Sequence, residues 1–382
     1  MNVLFRVDSG LQIGSGHVAR CLTLADALAR TEARCTFVCR PHSGHLIEWI
    51  ESQGFPVRQL PFGETLSSDP TSWLGAPQAI DAVQTRKAIG EETFDWLITD
   101  HYAIDRTWQR PMRQVADRIM AVDDLADRFH DADVLLDQNF QIDPAARYFD
   151  LLPEHCAGLY GPGYALLRSD FAARRPPIAF PESRSGSGSP RRVMLFMGGM
   201  DAPNVTGRVL RLLMDSHVQS QLAEMPTHLE VVAGSSNPHL RELGVLCDHT
   251  RMMVGLEATL RVQVADMAGL MRDVELAIAS GGSNTWERCC MGLPTATIAA
   301  AENQVEVSSL MHQHGASRYL GRNETITDSE LIAGLREFLR LPDDEKAWLS
   351  MSQLGMRMVD GLGARRVAET LRQANRTQRR AA

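Results

Sequence analysis

A histidine just after a glycine-rich turn is the residue of this sequence best suited to chemistry. His17 follows Gly14 and Gly16 at the start of a helix predicted to run to about Arg30. Unpaired backbone N–H groups and the positive end of the helix dipole lie at such a turn, where they favour an anion and a neutral imidazole. Because a neutral imidazole can accept a proton from water, the position predicts His17 as a general base. The alternative is a histidine that only caps or packs against the helix.

Two charged residues flank His17. Asp8 follows the predicted strand Val3–Val7, where its carboxylate could orient an imidazole. Arg20 lies one turn into the helix, where its guanidinium could hold an anionic substrate. Either residue could instead be a partner in a local ion pair. We expect both of them in the site with His17.

A second glycine-rich turn, ASGGSNTWE at residues 279–287, directly follows the predicted strand Leu276–Ala279. Backbone amides and small hydroxyls converge at such a turn, which is typical of a diphosphate cradle. One helical turn later, the carboxylate of Glu287 suits the two hydroxyls of a ribose; the alternative is a helix-start glutamate favoured by the dipole. The candidate binding residues are Gly282, Ser283, Asn284, Thr285, Trp286 and Glu287.

Four further segments place small or polar residues at predicted strand ends or helix starts. Glycine permits close backbone approach, whereas amides both donate and accept hydrogen bonds, as sugar hydroxyls and acetamides require. An amide pair at a helix start can also be without a ligand. The candidates are Gly199 in MGGMDAPN, Asn303 and Gln304 in AENQ, Tyr102 in TDHY, and Arg168 in GPGYALLR.

Asp100 and His101 in TDHY, with Asp123 and Asp124 in VDD, are residue types that can bind a divalent metal. No HxH or comparable ligand spacing supports such a site. We expect neither a metal nor a cofactor.

The elements that must position these residues alternate between short apolar strands and amphipathic helices, which predicts parallel sheets covered on both faces. Residues 176–190, PPIAFPESRSGSGSP, read as a linker. The prediction is therefore an α/β fold with two Rossmann-like, doubly wound domains at residues 1–175 and 191–382, with the site in a cleft between them. The Arg-rich helix from about Ala364 is assigned to the second domain. The predicted strands are Val3–Val7, Cys35–Cys39, Trp96–Thr99, Ile119–Val122, Val134–Leu136, Arg192–Met197, Leu229–Val232, Leu276–Ala279 and Thr295–Ile298.

Composition excludes several classes of protein. The 382 residues carry a formal net charge of -8, which gives no electrostatic case for nucleic acid. Seven cysteines without a CxxC pair indicate reduced thiols rather than a disulfide framework or a thiolate zinc site. No stretch is apolar enough for a signal peptide or a membrane span. We expect a soluble, cytoplasmic protein without a membrane partner; its oligomeric state is open, and a monomer is compatible with the sequence.

Together the motifs resemble one enzyme family along most of the chain, roughly residues 2–375. RVDSGLQIGSGHVARCLTLADAL, DHY, GPGYALLR, the GG-x-D turn, ASGGSNTWE, PTATIAAAENQ and DGLGARRVA are similar to the UDP-2,4-diacetamido-2,4,6-trideoxy-β-L-altropyranose hydrolases, the PseG-type enzymes of pseudaminic acid biosynthesis. That family is itself related to MurG-type glycosyltransferases of the GT-B fold.

The resemblance implies a metal-independent reaction in which water attacks the anomeric carbon, UDP leaves and the configuration inverts. It implies His17 as the catalytic base, Met267 and Glu287 at the uridine, Gly282 to Thr285 at the diphosphate, and Asn303 with Gln304 at the sugar. Two alternatives stay open: a GT-B glycosyltransferase that uses a UDP-amino sugar, and a sugar-nucleotide binding protein without activity. Release of UDP without an acceptor would separate the first alternative from a hydrolase.

Overall fold

The structure is a computed structural model that describes residues 1–63, 70–178, 190–215 and 224–381. The chain divides into two compact units. Unit 1 comprises Met1–Arg168 together with Leu362–Ala382, and unit 2 comprises Ser169–Gly361. None of the helices in the described ranges combines the length and the apolarity needed to cross a membrane.

Unit 1 is built on a seven-stranded parallel sheet with the strand order β3-β2-β1-β4-β5-β6-β7. Its inner strands are runs of buried apolar residues, as a sheet covered by helices on both faces requires. The order reverses between β1 and β4, so the loops after these two strands open a crevice at their carboxyl ends. The strands are β1 Asn2–Val7, β2 Arg34–Cys39, β3 Val57–Gln59, β4 Phe94–Asp100, β5 Ala116–Val122, β6 Val134–Asp137 and β7 Ala157–Tyr160.

Unit 2 repeats this plan with a six-stranded parallel sheet in the order β10-β9-β8-β11-β12-β13. Here the order reverses between β8 and β11, and each of these two strands is followed by a glycine-rich turn and a helix. The strands are β8 Arg191–Phe196, β9 Thr227–Ala233, β10 Leu256–Val262, β11 Leu276–Ser280, β12 Thr295–Ala299 and β13 Arg318–Arg322.

Helices connect the strands of each sheet and cover its faces. Along the described chain they are α1 Gly16–Ala29, α2 Ile47–Ser52, α3 Gln78–Ile89, α4 Arg106–Met112, α5 Pro144–Tyr148, α6 Ser169–Arg174, α7 Val205–Leu213, α8 Leu240–Thr250, α9 Met267–Arg272, α10 Asn284–Cys290, α11 Val305–Gln313, α12 Asp328–Leu339, α13 Glu345–Met358 and α14 Gly363–Ala381. Short 3₁₀ turns lie at Pro70–Ser72, Pro162–Tyr164, Glu302–Gln304 and Leu341–Asp343.

The two α/β units confirm the predicted fold class, but their boundaries differ from the predicted ones. Unit 1 ends at Arg168, and α6 belongs to unit 2, where Arg174 forms an ion pair with Asp266. The last helix, α14, belongs to unit 1 and not to the second domain, because Val367 and Leu371 are buried in the core that covers β1 and α1. Of the predicted linker, residues 179–189 lie outside the described residues.

Candidate active site

His17 is held by a carboxylate from the neighbouring strand of the sheet. It is the second residue of α1, and Asp100 is the last residue of β4, beside Val7 in the register. The Nδ1 atom of His17 lies 2.6 Å from Oδ1 of Asp100, and both side chains are buried. A carboxylate acceptor at this distance places the ring proton on Nδ1, which leaves the lone pair on Nε2. This tautomer is the one that a general base uses.

Arg20 fixes the same carboxylate from the next turn of α1. Its Nε donates to Oδ2 of Asp100 and its Nη2 donates to Oδ1, each at 2.6 Å, while Nη1 donates to Oδ2 of Asp124 at 3.3 Å. Burial alone would raise the pKa of Asp100, but the charge of Arg20 and the hydrogen bonds from Arg20 and His17 outweigh it and hold that pKa well below its usual range. The predicted role of Arg20, holding a substrate anion, is therefore corrected: its guanidinium is bound to two carboxylates of the protein.

Tyr102 lies with His17, as the sequence predicted. The two rings meet edge to face with 4.7 Å between centroids, and the ring of Trp73 lies 5.9 Å from that of Tyr102. Burial, followed by the charge of Asp124, raises the pKa of Tyr102 well above its usual value, so its phenol stays protonated. Edge-to-face packing of this kind favours the observed orientation of the His17 ring.

Asp8 does not orient His17, contrary to the prediction. Its carboxylate is fully buried and takes hydrogen bonds from Nη1 of Arg6 at 2.6 Å and from the backbone N–H of Arg40 at 2.7 Å. The Nε2 atoms of His42 and His101 lie 3.5 and 3.4 Å from its other oxygen. Asp8 therefore belongs to a buried ionic cluster. The carboxylate beside His17 is that of Asp100, because β1 and β4 are paired in the sheet.

The turn that carries His17 is fixed by backbone contacts. Gly14 has a φ of +80°, and its N–H donates to the carbonyl of Gly10 at 2.8 Å. Leu11 donates to the carbonyl of Ser43 at 2.9 Å, which ties the turn to the loop after β2. Gly16 begins α1.

Arg168, the last predicted residue of unit 1, does not belong to this turn. Its side chain is exposed at the end of the first segment of unit 1.

Two residues near the strand ends were missed by the sequence analysis. Asp137 ends β6 and is buried, and the backbone N–H of Asn139 donates to it at 2.9 Å. The hydroxyl of Tyr148 lies 3.2 Å from one oxygen each of Asp123 and Asp137. Burial, with the charges of Asp124 and Asp123, raises the pKa of Asp137 to about 7. The position of Asp137 at the end of a predicted strand could have indicated a role in the site, but the VLLD pattern alone does not show which side chains contact it.

Carboxylates thus gather at the ends of β4, β5 and β6, each with protein partners. Arg128 pairs with Asp123 at 2.6 Å, as Arg20 does with Asp100. Over the ranges that the structure describes, no three His, Cys, Asp or Glu side chains are grouped so that they could hold a metal ion.

In unit 2, a buried arginine braces the turn after β11. From α10, Nη1 of Arg288 donates to Oδ1 of Asn284 at 2.6 Å, and Nη2 donates to the carbonyl of Ser280 at 2.9 Å and to Oγ1 of Thr285 at 3.1 Å. These bonds join the strand end to the first helical turn and leave Ser283 exposed. Trp286, expected among the binding residues, is only 1% exposed and belongs to the core, because its position on this short helix faces inward.

Gln304 braces the same turn from the other side. Its Oε1 accepts from the N–H groups of Gly281 at 3.2 Å and Ala300 at 3.0 Å, so its NH₂ group is the part that could still donate to a ligand. Asn303 beside it is exposed. The structure therefore brings Gln304 and the residues Gly282 to Thr285 together, as the sequence predicted.

Of the other predicted residues of unit 2, two lie at helix starts and one lies in the turn after β8. Met267 is the first residue of α9, with Asp266 capping that helix through the N–H of Gly269 at 2.9 Å. Glu287 lies half-buried in the first turn of α10. Gly199, after β8, contacts the loop after β9 through its carbonyl, which accepts from the N–H of Gly234 at 3.0 Å.

Sequence comparison places the chain near sugar-nucleotide enzymes. It is 26% identical over 319 residues to the UDP-2,4-diacetamido-2,4,6-trideoxy-β-L-altropyranose hydrolase of Campylobacter jejuni, a match that covers 82% of this chain and 97% of that protein. It is 27% identical over 212 residues to the spore coat polysaccharide biosynthesis protein SpsG of Bacillus subtilis, covering 55% of this chain and 57% of that one. No family model matches the chain.

Solved structures show the class of fold. MurG of Acinetobacter baumannii superposes with a TM-score of 0.62 at 13% identity, covering 97% of this chain and 99% of that one. Medicago truncatula UGT71G1, solved with UDP-glucose, gives 0.65 at 10% identity, covering 97% and 98%. The chain has the two Rossmann-like domains of the GT-B glycosyltransferases. Beside this shared fold, the similarity to the PseG-type hydrolases suggested by the motifs is confirmed.

Proposed function

We propose that the chain is a UDP-sugar hydrolase that cleaves UDP-2,4-diacetamido-2,4,6-trideoxy-β-L-altropyranose to the free sugar and UDP. The observation that carries the proposal is the 2.6 Å contact between His17 and Asp100, which prepares a base on a helix at the crevice of unit 1. The name of the Campylobacter jejuni relative gives the substrate. By the resemblance of the motifs to the PseG-type enzymes, we place the reaction in the biosynthesis of pseudaminic acid.

The mechanism follows from the tautomer of His17. The oxygen of a water molecule attacks the anomeric carbon while Nε2 of His17 takes one of its protons, a contribution of about 10²–10⁴-fold. The bond from the anomeric carbon to the diphosphate oxygen breaks, and its electron pair leaves with UDP. Attack opposite the leaving group inverts the configuration. Asp100 stabilises the imidazolium that forms, as the carboxylate does in a Ser-His-Asp triad.

In this proposal, unit 2 binds the nucleotide. Backbone amides of the turn Gly282 to Thr285 and the NH₂ of Gln304 neutralise the charge that develops on the diphosphate. Glu287 binds the ribose diol, Met267 lies at the uracil, and Asn303 meets the sugar. The supporting observation is the turn braced by Arg288 and Gln304 at the point where the strand order reverses.

Anomer-resolved NMR tests the proposal directly. The chain is mixed with the diacetamido UDP-sugar in EDTA without any acceptor, and we expect UDP and a free sugar of inverted anomeric configuration to appear. His17→Asn should abolish turnover while UDP still binds. Unimpaired turnover in that variant would refute the assignment of His17 as the base. If the unaltered chain released no UDP at all, the proposed hydrolase activity would be refuted.

The fold favours one second candidate, a glycosyltransferase that moves the sugar of a UDP-amino sugar to an alcohol. Its basis is the similarity to MurG and to UGT71G1. The same experiment separates the two functions, because a transferase would release UDP at an appreciable rate only after an acceptor alcohol is added.

A further inference from the structure

Arg288 is a buried cation that forms no salt bridge with a carboxylate among the residues that the structure describes. The side chain is 1% exposed, and its partners are a carbonyl, an amide oxygen and a hydroxyl. Burial outweighs the charge of neighbours such as Glu287 and lowers the pKa of Arg288 to about 10, so the guanidinium is charged at neutral pH. A buried charge is costly unless an opposite charge compensates it. Other buried arginines of this chain follow that rule: Arg6 and Arg20 each pair with an aspartate.

The far side of Arg288 lines a small crevice inside unit 2. The walls come from α10 and the turn after it, β12, α11, α13 and the segment before β13. They include the polar side chains of Thr285, Arg288, Thr295, Thr297, Ser317 and Ser352. No aspartate or glutamate is among the lining residues. Two buried polar atoms of that lining, Nε of Arg288 and Oγ of Ser317, have no hydrogen-bond partner within the described part of the chain.

The chemistry of these groups selects a negative ligand. Nε of Arg288 can only donate, and the hydroxyl of Ser317 can donate as well. Thr285 accepts from Arg288, so its own hydroxyl proton is available to a third partner. A water molecule could satisfy these donors, but it would bring no negative charge to a guanidinium that the crevice surrounds with neutral groups. A cation would meet a positive charge and no carboxylate.

We propose that this crevice binds one small monovalent anion of the size of chloride, held by Arg288 Nε, Ser317 Oγ and Thr285 Oγ1. The space is that of about one water molecule, which excludes sulfate and phosphate. A chloride ion is somewhat larger than water, so its binding requires the side chains of the lining to move slightly outward. The anion supplies the counter-charge of Arg288, whose other nitrogens brace the turn after β11. Its binding therefore stabilises unit 2 whether or not the chain is a hydrolase.

Thermal unfolding of the whole chain tests the site. Sodium chloride or bromide is compared with sodium gluconate at equal ionic strength, so that general screening is the same in each series. At a halide concentration ten times its Kd, we expect Tm to rise by about 2–4 °C relative to gluconate. Bromide soaked into crystals should give one anomalous peak between Arg288 and Ser317.

Variants make the result specific. Ser317→Val fills the crevice and should abolish the halide effect, and Ser317→Ala should weaken it. Ser308→Ala is the matched control, because Ser308 is also buried with an unpartnered Oγ but does not line the crevice. An equal Tm in chloride and gluconate would overturn the proposal. So would a halide response that is the same in Ser317→Val as in the unaltered chain, or crystals in which the crevice shows water and no bromide.

Discussion

His17 and Asp100 meet at 2.6 Å although 83 residues separate them in the chain. The contact exists because β1 and β4 are neighbours, so that the helix after one strand starts beside the last residue of the other. Asp100 accepts a hydrogen bond from Nδ1 of His17. Two nitrogens of Arg20 hold the same carboxylate in place. The imidazole is thereby restricted to one tautomer and one orientation before any substrate arrives.

Asp100→Asn should preserve the shape of the site and change the tautomer of His17. An amide that donates to Nδ1 moves the ring proton to Nε2, where it blocks the acceptance of a proton from water. We expect turnover to fall by about 10²–10⁴-fold while the Kd for UDP stays unchanged. Both quantities can be measured by a UDP-release assay and calorimetry. Asp124→Asn, which contacts Arg20 but not His17, is the control and should lose less than about tenfold. Equal losses in the two variants would contradict the role of Asp100.

Asp137→Asn should stabilise the chain at alkaline pH. The folded pKa of Asp137 is about 7, whereas an unfolded aspartate titrates near pH 4. Between these values the unfolded chain releases a proton that the folded chain keeps, so this group costs stability as pH rises from about 4 to 7, and the full cost remains above 7. At pH 8 the variant should be more stable by about 2–4 kcal/mol, and the difference should vanish towards pH 4.

Urea unfolding of both chains across this pH range measures that difference. Asp117→Asn, at an exposed position of β5, is the control for the loss of one negative charge. The prediction fails if Asp137→Asn and Asp117→Asn change the free energy of unfolding in the same way at every pH.

Gly281→Ala should damage the turn after β11, and Gly282→Ala should not. A Cβ at Gly281 would lie 2.3 Å from Oγ of Ser308 and 3.2 Å from Cβ of Gln304, whereas a Cβ at Gly282 would meet nothing closer than 3.8 Å. If the turn binds the diphosphate, we expect the UDP affinity of Gly281→Ala to fall about tenfold, since backbone amides placed wrongly lose hydrogen bonds of about 1.5 kcal/mol. Calorimetry with UDP measures this.

A second substitution shows whether the steric clash with Ser308 causes the loss of UDP affinity. Gly281→Ala combined with Ser308→Ala removes the nearest clash and should recover part of the lost affinity. Equal affinities for Gly281→Ala and Gly282→Ala would show that the turn does not hold the nucleotide.

Asp81→Ala should be among the most destabilising single substitutions in unit 1. Its buried carboxylate accepts from Arg6 at 2.7 and 3.0 Å, from Arg40 at 2.6 Å and from the indole of Trp108 at 2.8 Å. Removing it leaves two buried guanidinium groups short of negative charge, a loss of about 3–5 kcal/mol. Asp26→Ala breaks the exposed pair with Arg30 on α1 and should cost about 0.5 kcal/mol or less. Denaturant unfolding compares them, and similar losses would refute this account.

The sequence predicted the inner strands of both sheets but none of their edges. The nine predicted strands are all present, whereas the four that were missed, β3, β7, β10 and β13, are the edge strands. An edge strand has fewer buried positions; β3 is partly or fully exposed throughout, and β13 is half-buried at each residue. Without a continuous apolar run, such segments cannot be distinguished from loops by pattern alone.

The sequence predicted the two glycine-rich turns of the candidate site, but not which side chains contact the predicted residues. Glycine spacing located the turns before α1 and α10, because local backbone geometry requires those residues. Closeness in sequence predicts Asp8 as the partner of His17, but strand order, which the pattern does not contain, gives that place to Asp100. The burial of Trp286 and the brace from Arg288 depend on the rotation of one short helix, which seven residues do not determine.

The return of α14 to unit 1 determines the order in which the chain can fold on the ribosome. Unit 2 is continuous in sequence and can complete its core while the chain is still growing. Unit 1 has its sheet early, but Val367 and Leu371 join its core only after all of unit 2 has been synthesised. Until then the apolar face that α14 covers stays open to solvent. The part of the chain that carries His17 is therefore made first and finished last.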